Sequence, residues 1–469
     1  MNPPEPDPHA ACPGVSRRLE DVFLTRREFL GRAGFGLGAL GFAALEAKGS
    51  ATLPTVRAGD AGRLGRARAL IHIFAQGAPS QVDTWDPKPM LRARNGEALP
   101  GGGVALGSAF GFTRMGRTGL EVSEAFCRTG ALADDLAVVR SMWTDIPAHE
   151  VATVFMNTGS ARPGKPSLGS WLLYGLGSEN ENLPGFIVLR GPRPPLGGVS
   201  NYSGAFLPGA FQGMSVNADE ERADHIIRNI TRGSGSAGEQ RAQLDLVASL
   251  NRMFATRLND QQAVEARIRN YETAFRMQVE GLDAFDLSKE KEATLSRYGR
   301  TVEGRKLLTA RRLVERGVRV VQVWHSGWDH HRDIEGGIRK SAGEIDQPLA
   351  ALISDLKERG LLDSTLVLWG GEFGRSPTTD RSDAATPGRD HNAKAFSVVL
   401  AGGGVRGGTV IGETDELGRE AVRDRCHVHD LHATLLHLMG LDHTRLLHRH
   451  NGRDYRLTDV AGNVMKGLL

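Results

Sequence analysis

Cysteine is scarce in this sequence, which limits the kinds of site it can form. The chain has three cysteines among 469 residues, and no two of them form a CxxC pair. A zinc site built from thiolates is therefore not predicted. Cys127 and Cys426 could pair in an oxidising compartment, but nothing in the sequence shows that they do.

An excess of charge of one sign is also missing. Lys and Arg number 58, Asp and Glu number 55, and no long basic block is present. Nucleic-acid-binding domains usually carry a basic patch or stripe, so no nucleic-acid partner is predicted. The 40% hydrophobic and 24% charged residues are typical of a soluble globular protein. The chain is longer than a typical domain with a single hydrophobic core, although single-domain α/β enzymes reach this size.

An apolar run long enough to cross a bilayer is absent as well. Residues 31–45 are moderately apolar and rich in Gly and Ala, and they are shorter than the ~20 residues of a membrane helix. They follow Arg26 and Arg27 in the segment TRREFL, which has the twin-arginine pattern of an export signal. An amphipathic helix is the alternative reading of this segment. We predict recognition by the twin-arginine export machinery, a periplasmic or secreted location, and no stable membrane span after cleavage.

What the sequence does contain is a succession of strand and helix patterns. Short β-branched and apolar runs alternate with helical patterns from residue 69 onward, whereas residues 218–313 are dominated by helix formers. This succession predicts an α/β domain with a mostly parallel central sheet. The predicted organisation is a signal peptide and extension at 1–51, a linker at 52–68 and a domain at 69–469, with a helical insertion at about 218–300.

Side chains that suit a metal follow two of the predicted strands. Val318–Trp324 leads into HSGWDHH, Ser364–Trp369 leads into GGEFGR, and a later loop contains RDHN. In open α/β sheets, ligands collect at the carboxyl ends of the strands. Carboxylate and imidazole donors suit a divalent ion, and they leave Zn, Mn, Ca and Mg all open. The predicted metal ligands are Asp329, His331, Glu372 and His391.

These segments resemble the metal-site segments of the alkaline phosphatase and sulfatase superfamily. Together with the signal, they make nearly the whole chain similar to an uncharacterised bacterial sulfatase-like family with a twin-arginine signal. The C-terminal segment DLHATLLHLMG resembles the tail helix of sulfatases. The resemblance implies a three-layer alkaline phosphatase-like fold and hydrolysis of phosphate or sulfate esters of a small molecule or polysaccharide.

Three positions depart from the superfamily pattern. Gln76 stands nearest the place of a metal-binding Asp at the end of the first strand, and the first carboxylate after it is Asp83. Phe373 stands where an Asp-His pair would have its His. The place of the nucleophile, just before a short predicted helix, is held by His149.

The resemblance also implies catalytic roles for three residues. His149 would be a metal ligand, a nucleophile or a general acid at a helix N-terminus, the alternative being a histidine that only borders that helix. Either Asp83 folds back to the site through its loop, or one ligand of the superfamily pattern is missing. Arg375 would bind a phosphate or sulfate oxyanion bidentately, the alternative being a local pair with Glu372.

Two functions therefore stay open at this stage. The surviving Asp, Glu and His clusters favour a metal-dependent hydrolase. The departures at Gln76, Phe373 and His149 favour a catalytically degenerate member of the superfamily that acts as a binding or assembly protein. The fold alone does not decide between them.

Overall fold

The computed structural model describes residues 65–227, 236–258, 261–379 and 386–469. The predicted signal peptide and extension, and the linker up to residue 64, lie outside the described residues. Cys127 and Cys426 are both free, the first exposed and the second buried.

The described strands and helices follow one another along the chain. The strands are β1 (Ala69–Gln76), β2 (Phe112–Met115), β3 (Leu120–Ser123), β4 (Leu136–Trp143), β5 (Phe186–Arg190), β6 (Met214–Asn217), β7 (Val320–Ser326), β8 (Thr365–Gly370), β9 (Gly374–Thr379), β10 (Arg389–Asn392), β11 (Phe396–Ala401), β12 (Thr409–Ile411), β13 (Glu413–Thr414), β14 (Ala421–Arg423), β15 (Cys426–His427), β16 (His448–His450) and β17 (Arg453–Tyr455). The helices are α1 (Gln81–Thr84), α2 (Pro89–Ala93), α3 (Cys127–Gly130), α4 (His149–Thr158), α5 (Leu168–Leu176), α6 (Ala223–Ile226), α7 (Ala237–Leu258), α8 (Gln261–Phe285), α9 (Glu292–Tyr298), α10 (Val302–Glu315), α11 (Ile334–Glu358) and α12 (Val428–Leu438).

The central sheet has β1 near its middle. Its strand order is β12-β4-β11-β8-β1-β7-β5-β6, and β15 also pairs with β4. Neighbouring strands are parallel except at β11, which runs antiparallel to both β4 and β8. The predicted α/β class with a mostly parallel central sheet is confirmed.

Helices cover both faces of this sheet because its strands are apolar on both faces. In β1, Ile71 and Ile73 belong to one buried cluster, which includes side chains of α10 and α11. Leu70 and Phe74 belong to a second cluster, which includes side chains of α4, α5 and α12. Successive residues of a strand point to opposite faces, so β1 joins two apolar layers. The result is three layers, helix–sheet–helix.

Only helices and turns connect β6 to β7 among the described residues. Helices α7 and α8 are linked by Arg241, whose guanidinium donates to Glu272 at 2.7 Å. The predicted bounds of a helical insertion at about 218–300 stay a prediction. No helix in the described residues is long and apolar enough to cross a membrane.

Candidate metal centre

The carboxyl ends of the central strands bring separate parts of the chain to one edge. In the parallel register, Gln76 at the end of β1 pairs with Ser326 at the end of β7, and Phe74 pairs with Gly370 at the end of β8. The HSGWDHH segment begins with the last two residues of β7 and continues into the loop after it, and the loop after β8 carries Glu372. The hairpin of β9 and β10 sets His391 opposite Arg375. The predicted convergence of strand ends therefore exists in the fold.

Four side chains meet at this edge with metal-type spacing. His149, Asp329, His331 and His391 each offer a ligand atom, and these atoms all lie within 4.8 Å of one another. Oδ1 of Asp329 lies 3.0 Å, 3.2 Å and 3.7 Å from Nε2 of His331, His149 and His391. Tetrahedral ligands at zinc-type bond lengths are roughly 3.3 Å apart. The spacing therefore suits a single divalent ion.

The outer ring nitrogens of two of these histidines are already engaged. Nδ1 of His391 lies 2.8 Å from the carbonyl oxygen of Pro147, which can only accept a hydrogen bond. Nδ1 must then carry the hydrogen, and the lone pair of Nε2 faces the cluster. Nδ1 of His149 lies 2.6 Å from Oε1 of Glu372. Histidines that bind metals almost always donate their other ring N–H to a carboxylate or carbonyl in this way.

Nε2 of His149 gives a further indication that the cluster suits an ion. It is buried, and despite its short distance to Asp329 it makes no hydrogen bond of good geometry. Burial lowers the pKa of His149, but the carboxylates of Asp329 and Glu372 outweigh burial and raise that pKa to about 9. The Asp329 carboxyl responds in the opposite direction. Burial raises its pKa, but the neighbouring side chains of His149, His391 and Arg375 outweigh burial and hold the pKa well below its usual range.

Glu372, predicted as a ligand, lies behind His149 and outside the four-residue group. The side chain is fully buried, and both of its oxygens accept from the N–H of Gly77, at 3.0 Å and 3.2 Å. Gly77 has a φ of +110°, and a Cβ there would lie 2.6 Å from the nitrogen of Asp329. A glycine is therefore required for this close approach. The geometry fits a carboxylate that orients His149, and direct ligation by Glu372 stays a prediction.

Arg375, predicted to bind an oxyanion, is fully buried beneath the cluster. Its guanidinium donates to the carbonyl oxygens of Gly77, Ala78 and Arg389, at 2.7 Å, 3.0 Å and 3.1 Å. It also pairs with the Asp329 carboxylate. With these contacts made, Arg375 fixes the position of Asp329 and has little capacity left for a substrate oxyanion.

Asp83, predicted to be catalytic, is likewise buried and outside the four-residue group. Its carboxylate accepts from Nε and Nη2 of Arg389 at 2.7 Å and 3.1 Å. Arg389 begins β10, the strand that carries His391. The segment after β1 therefore does bring Asp83 back towards the site. There it holds Arg389 of β10 and is not one of the four clustered residues.

The departures from the superfamily pattern have structural roles here. Oε1 of Gln76 accepts from the N–H of Leu196 at 3.1 Å. The ring of Phe373 packs 4.7 Å and 4.9 Å from the rings of His149 and His391. Phe373 thus packs against two imidazole rings at the position where the superfamily pattern has a metal-binding histidine.

Three described histidines outside this group make contacts elsewhere. The ring of His330 lies against α11, where a Cβ at Gly337 would touch it. His427 caps α12, and His432 contacts the carbonyl oxygen of Met156 at 2.8 Å. His427 and His432 thus make structural contacts in this part of the chain.

An open cleft of about 250 Å³ adjoins the cluster at His391. Its other walls are the turn before β2, strand β9 and the turn before β14. The residues that line it besides His391 are Gly101, Gly102, Ser376, Pro377, Thr378, Asn392 and Arg419.

A family model described as "Protein of unknown function (DUF1501)" matches residues 67–469. The chain belongs to this family. No curated protein matches the sequence.

Solved structures similar to this DUF1501 chain have sulfatase and alkaline phosphatase descriptions. The PsFucS1 sulfatase from Pseudoalteromonas sp. is 13% identical, with 80% of this chain and 68% of that chain covered and a TM-score of 0.35. The C-terminal periplasmic domain of EcEptC from Escherichia coli, in complex with Zn, is 9% identical, with 82% and 85% covered and a TM-score of 0.35. An alkaline phosphatase superfamily protein from Vibrio parahaemolyticus is 10% identical, with 80% and 67% covered and a TM-score of 0.33. Two of these descriptions, those of the sulfatase and of the alkaline phosphatase superfamily protein, name groups that the sequence motifs resemble. At such TM-scores the three structures carry no argument.

Two supporting contacts in this DUF1501 chain were not anticipated from sequence. Pro147 fixes the tautomer of His391, and Arg389 holds β10 through Asp83. A proline carbonyl leaves no mark in a sequence pattern. Arg389, directly before the DHN segment, is visible in the sequence. Because a buried guanidinium needs a countercharge, this arginine at a strand end indicates a carboxylate partner.

Proposed function

We propose that this protein is an exported, metal-dependent hydrolase of phosphate or sulfate esters, of sulfatase-like type. The observation that carries the proposal is the convergence of His149, Asp329, His331 and His391, with their ligand atoms within 4.8 Å. Three imidazoles and one carboxylate favour a borderline ion such as Zn over Ca or Mg. When bound, a divalent ion would polarise an ester oxygen and lower the pKa of water.

The remaining residues have positioning roles in this proposal. Glu372 orients the ring of His149, and Arg375 and Gly77 fix the loop that carries Asp329. Helix α4 begins at His149, so its N-terminus favours an anionic ester at the same place. Because the nucleophile's place holds no Ser, Thr or Cys, we propose direct attack by water, without a covalent ester of the protein.

A binding or assembly protein is the second candidate. It is favoured by Gln76 and Phe373, whose side chains are used in packing and backbone contacts. Such a protein could still hold the ion as a structural element. The two candidates therefore differ in turnover, and they agree on metal content.

Metal analysis of the purified protein tests the site first. We expect about one divalent ion per chain in the parent and much less in His391→Ala, which removes a ligand. Because an ion bound only to the folded state stabilises it, a chelator should lower the unfolding temperature of the parent and have little effect on this variant. His330→Ala is the matched control and should keep the ion, since His330 packs against α11. A parent protein without metal that ignores chelators would refute the site.

Turnover of aryl phosphates and aryl sulfates, measured with Zn, Mn, Ca and Mg in turn, tests the activity. Metal-dependent release of the phenol, lost in His391→Ala, supports the hydrolase. A protein that holds its ion but releases no phenol from any ester would favour the binding or assembly role.

Export is tested by cell fractionation. Lys in place of both Arg26 and Arg27 should leave the precursor in the cytoplasm. The same change at Arg17 and Arg18, a pair with no apolar run directly after it, should have no effect. Secretion of both variants would contradict a twin-arginine signal.

A further inference from the structure

The cleft beside His391 contains a cation that the cluster does not use. Arg419 lines this cleft together with His391, Thr378 and Gly101. The cleft is smaller than the ~300 Å³ at which pockets for drug-sized ligands begin. It can therefore take one substituent or one small unit next to a group bound at the cluster.

Arg419 is held in place from three directions. Its N–H donates to Oδ1 of Asp415 at 2.9 Å, and its carbonyl oxygen accepts from Asn392 at 2.9 Å. Its Nη1 donates to the carbonyl oxygen of Pro100 at 2.6 Å. Because Asn392 directly follows His391, this arginine is fixed relative to the cluster.

Among the described residues, no acidic side chain neutralises the charge of Arg419. No carboxylate of the described residues forms an ion pair with it, and its described side-chain hydrogen bond goes to the Pro100 carbonyl. A guanidinium has five N–H donors, so most of them are left for another acceptor. Gly101 keeps the approach open, since a Cβ there would lie 3.4 Å from Nη1 of Arg419.

We propose that this cleft is a specificity subsite in which Arg419 binds a second anionic group of the substrate. The inference rests on the proposed hydrolase function and narrows it. Preferred esters would carry a carboxylate, sulfate or phosphate beside the ester that is cleaved, because a planar guanidinium matches these groups bidentately. Neutral esters of the same size would bind more weakly.

Matched aryl esters test this subsite. The substrates are 3- and 4-carboxyphenyl phosphates and sulfates, their carbamoyl analogues of nearly equal shape, their sulfo analogues, and the unsubstituted phenyl esters. The parent is compared with Arg419→Gln, Arg419→Lys and Arg114→Gln. Arg114 is a largely exposed arginine on β2 and serves as the control. Values of kcat/KM are measured together with calorimetric binding of the same esters while a chelator stops turnover.

We expect the parent to prefer at least one carboxyphenyl ester over its carbamoyl analogue by roughly tenfold, the low end for a charge-assisted contact at a partly exposed site. Arg419→Gln should lose this preference, and Arg419→Lys should keep part of it. The unsubstituted phenyl ester should have the same kcat/KM in the parent, Arg419→Gln and Arg419→Lys. Equal values would show that both variants are folded. The sulfo esters show whether a tetrahedral anion is favoured over a carboxylate.

A parent without any preference for the anion, or an equal preference in Arg419→Gln, would overturn the subsite. An Arg419-dependent preference in binding without turnover of any ester would instead reject the hydrolase and retain the anion site. The two proposals therefore fail on different measurements.

Discussion

The ring of His149 is held between two carboxylates, one that faces the cluster and one behind it. Asp329 is about half exposed, whereas Glu372 is fully buried and receives two hydrogen bonds from one backbone N–H. A carboxylate behind a metal-binding histidine fixes the ring and raises its basicity. Glu372 should therefore matter for metal affinity even without touching the ion.

Replacing this carboxylate gives a direct measurement. We expect Glu372→Gln to lower the affinity for the divalent ion by about 10–100-fold, because the amide cannot supply the negative charge behind His149. Competition with a chelator of known affinity measures the change. Glu344→Gln is the control, since Glu344 pairs with His325 at 3.2 Å and that histidine is not in the cluster. Equal affinities for the two variants would remove Glu372 from the site.

At the scale of residues, the sequence predicted which parts of the chain meet better than it predicted their contacts. Asp329, His331 and His391 come together, as expected for side chains at strand ends. The position of Glu372 behind His149 depends on the close approach of Gly77, which requires the whole register of β1, β7 and β8. A pattern along one strand does not contain that information.

At the scale of elements, α1 and β10 are joined by a buried ion pair. Asp83 and Arg389 have 2% or less of their side chains exposed, and their contact is bidentate. A buried charge without its partner is much less favourable than a solvated one. The pair therefore ties the loop after β1 to the strand that carries His391.

Removing one partner should destabilise the protein clearly. We expect Asp83→Asn to lower the free energy of unfolding by about 3–5 kcal/mol, since Arg389 stays buried without a countercharge. Asp454→Asn should cost less than about 1 kcal/mol, because Asp454 pairs with Arg449 in an exposed contact. Denaturant unfolding of both variants measures the difference. Similar losses would mean that burial does not strengthen this pair.

Strands were easier to predict than the long helix. The predicted strand Val318–Trp324 corresponds to Val320–Ser326, shifted because pairing with β1 continues to Ser326. The sequence predicts an amphipathic helix over Asp346–Arg359, and this is only the second half of α11, which begins at Ile334. Glycines in the first half and Pro348 inside the helix hid its full length, and packing between the sheet and neighbouring helices overrides these weak propensities.

At the scale of the whole molecule, two buried histidines make stability depend on pH. Burial lowers the pKa of His72 to about 4. Burial, with the nearby His429 as a smaller contribution, lowers the pKa of His432 to about 3. The folded protein therefore keeps both rings neutral at pH values where the unfolded chain, with a usual pKa near 6.5, takes up protons.

The contribution of these two histidines to stability should be complete above about pH 6.5 and fall as the pH drops towards 4. At pH 5 the loss is about 2 kcal/mol for each histidine, relative to pH 7. His432→Gln should remove the part of this loss that His432 causes, because glutamine does not titrate. Glutamine can still donate a hydrogen bond to the carbonyl oxygen of Met156. Urea unfolding from pH 7 to pH 5 tests this, and an unchanged pH dependence in the variant would exclude His432 as a cause.

The central position of β1 also constrains how the chain can fold. Leu70 pairs with Val320 on one side and with Leu366 on the other. Contacts this distant along the chain make folding slow, because the chain loses the entropy of closing large loops before strand pairing stabilises it. During synthesis, β1 must therefore wait, with both of its hydrogen-bonding edges open, until β7 and β8 have left the ribosome. Chains that end before residue 320 should aggregate through these edges, so the nascent protein depends on being shielded until its second half is made.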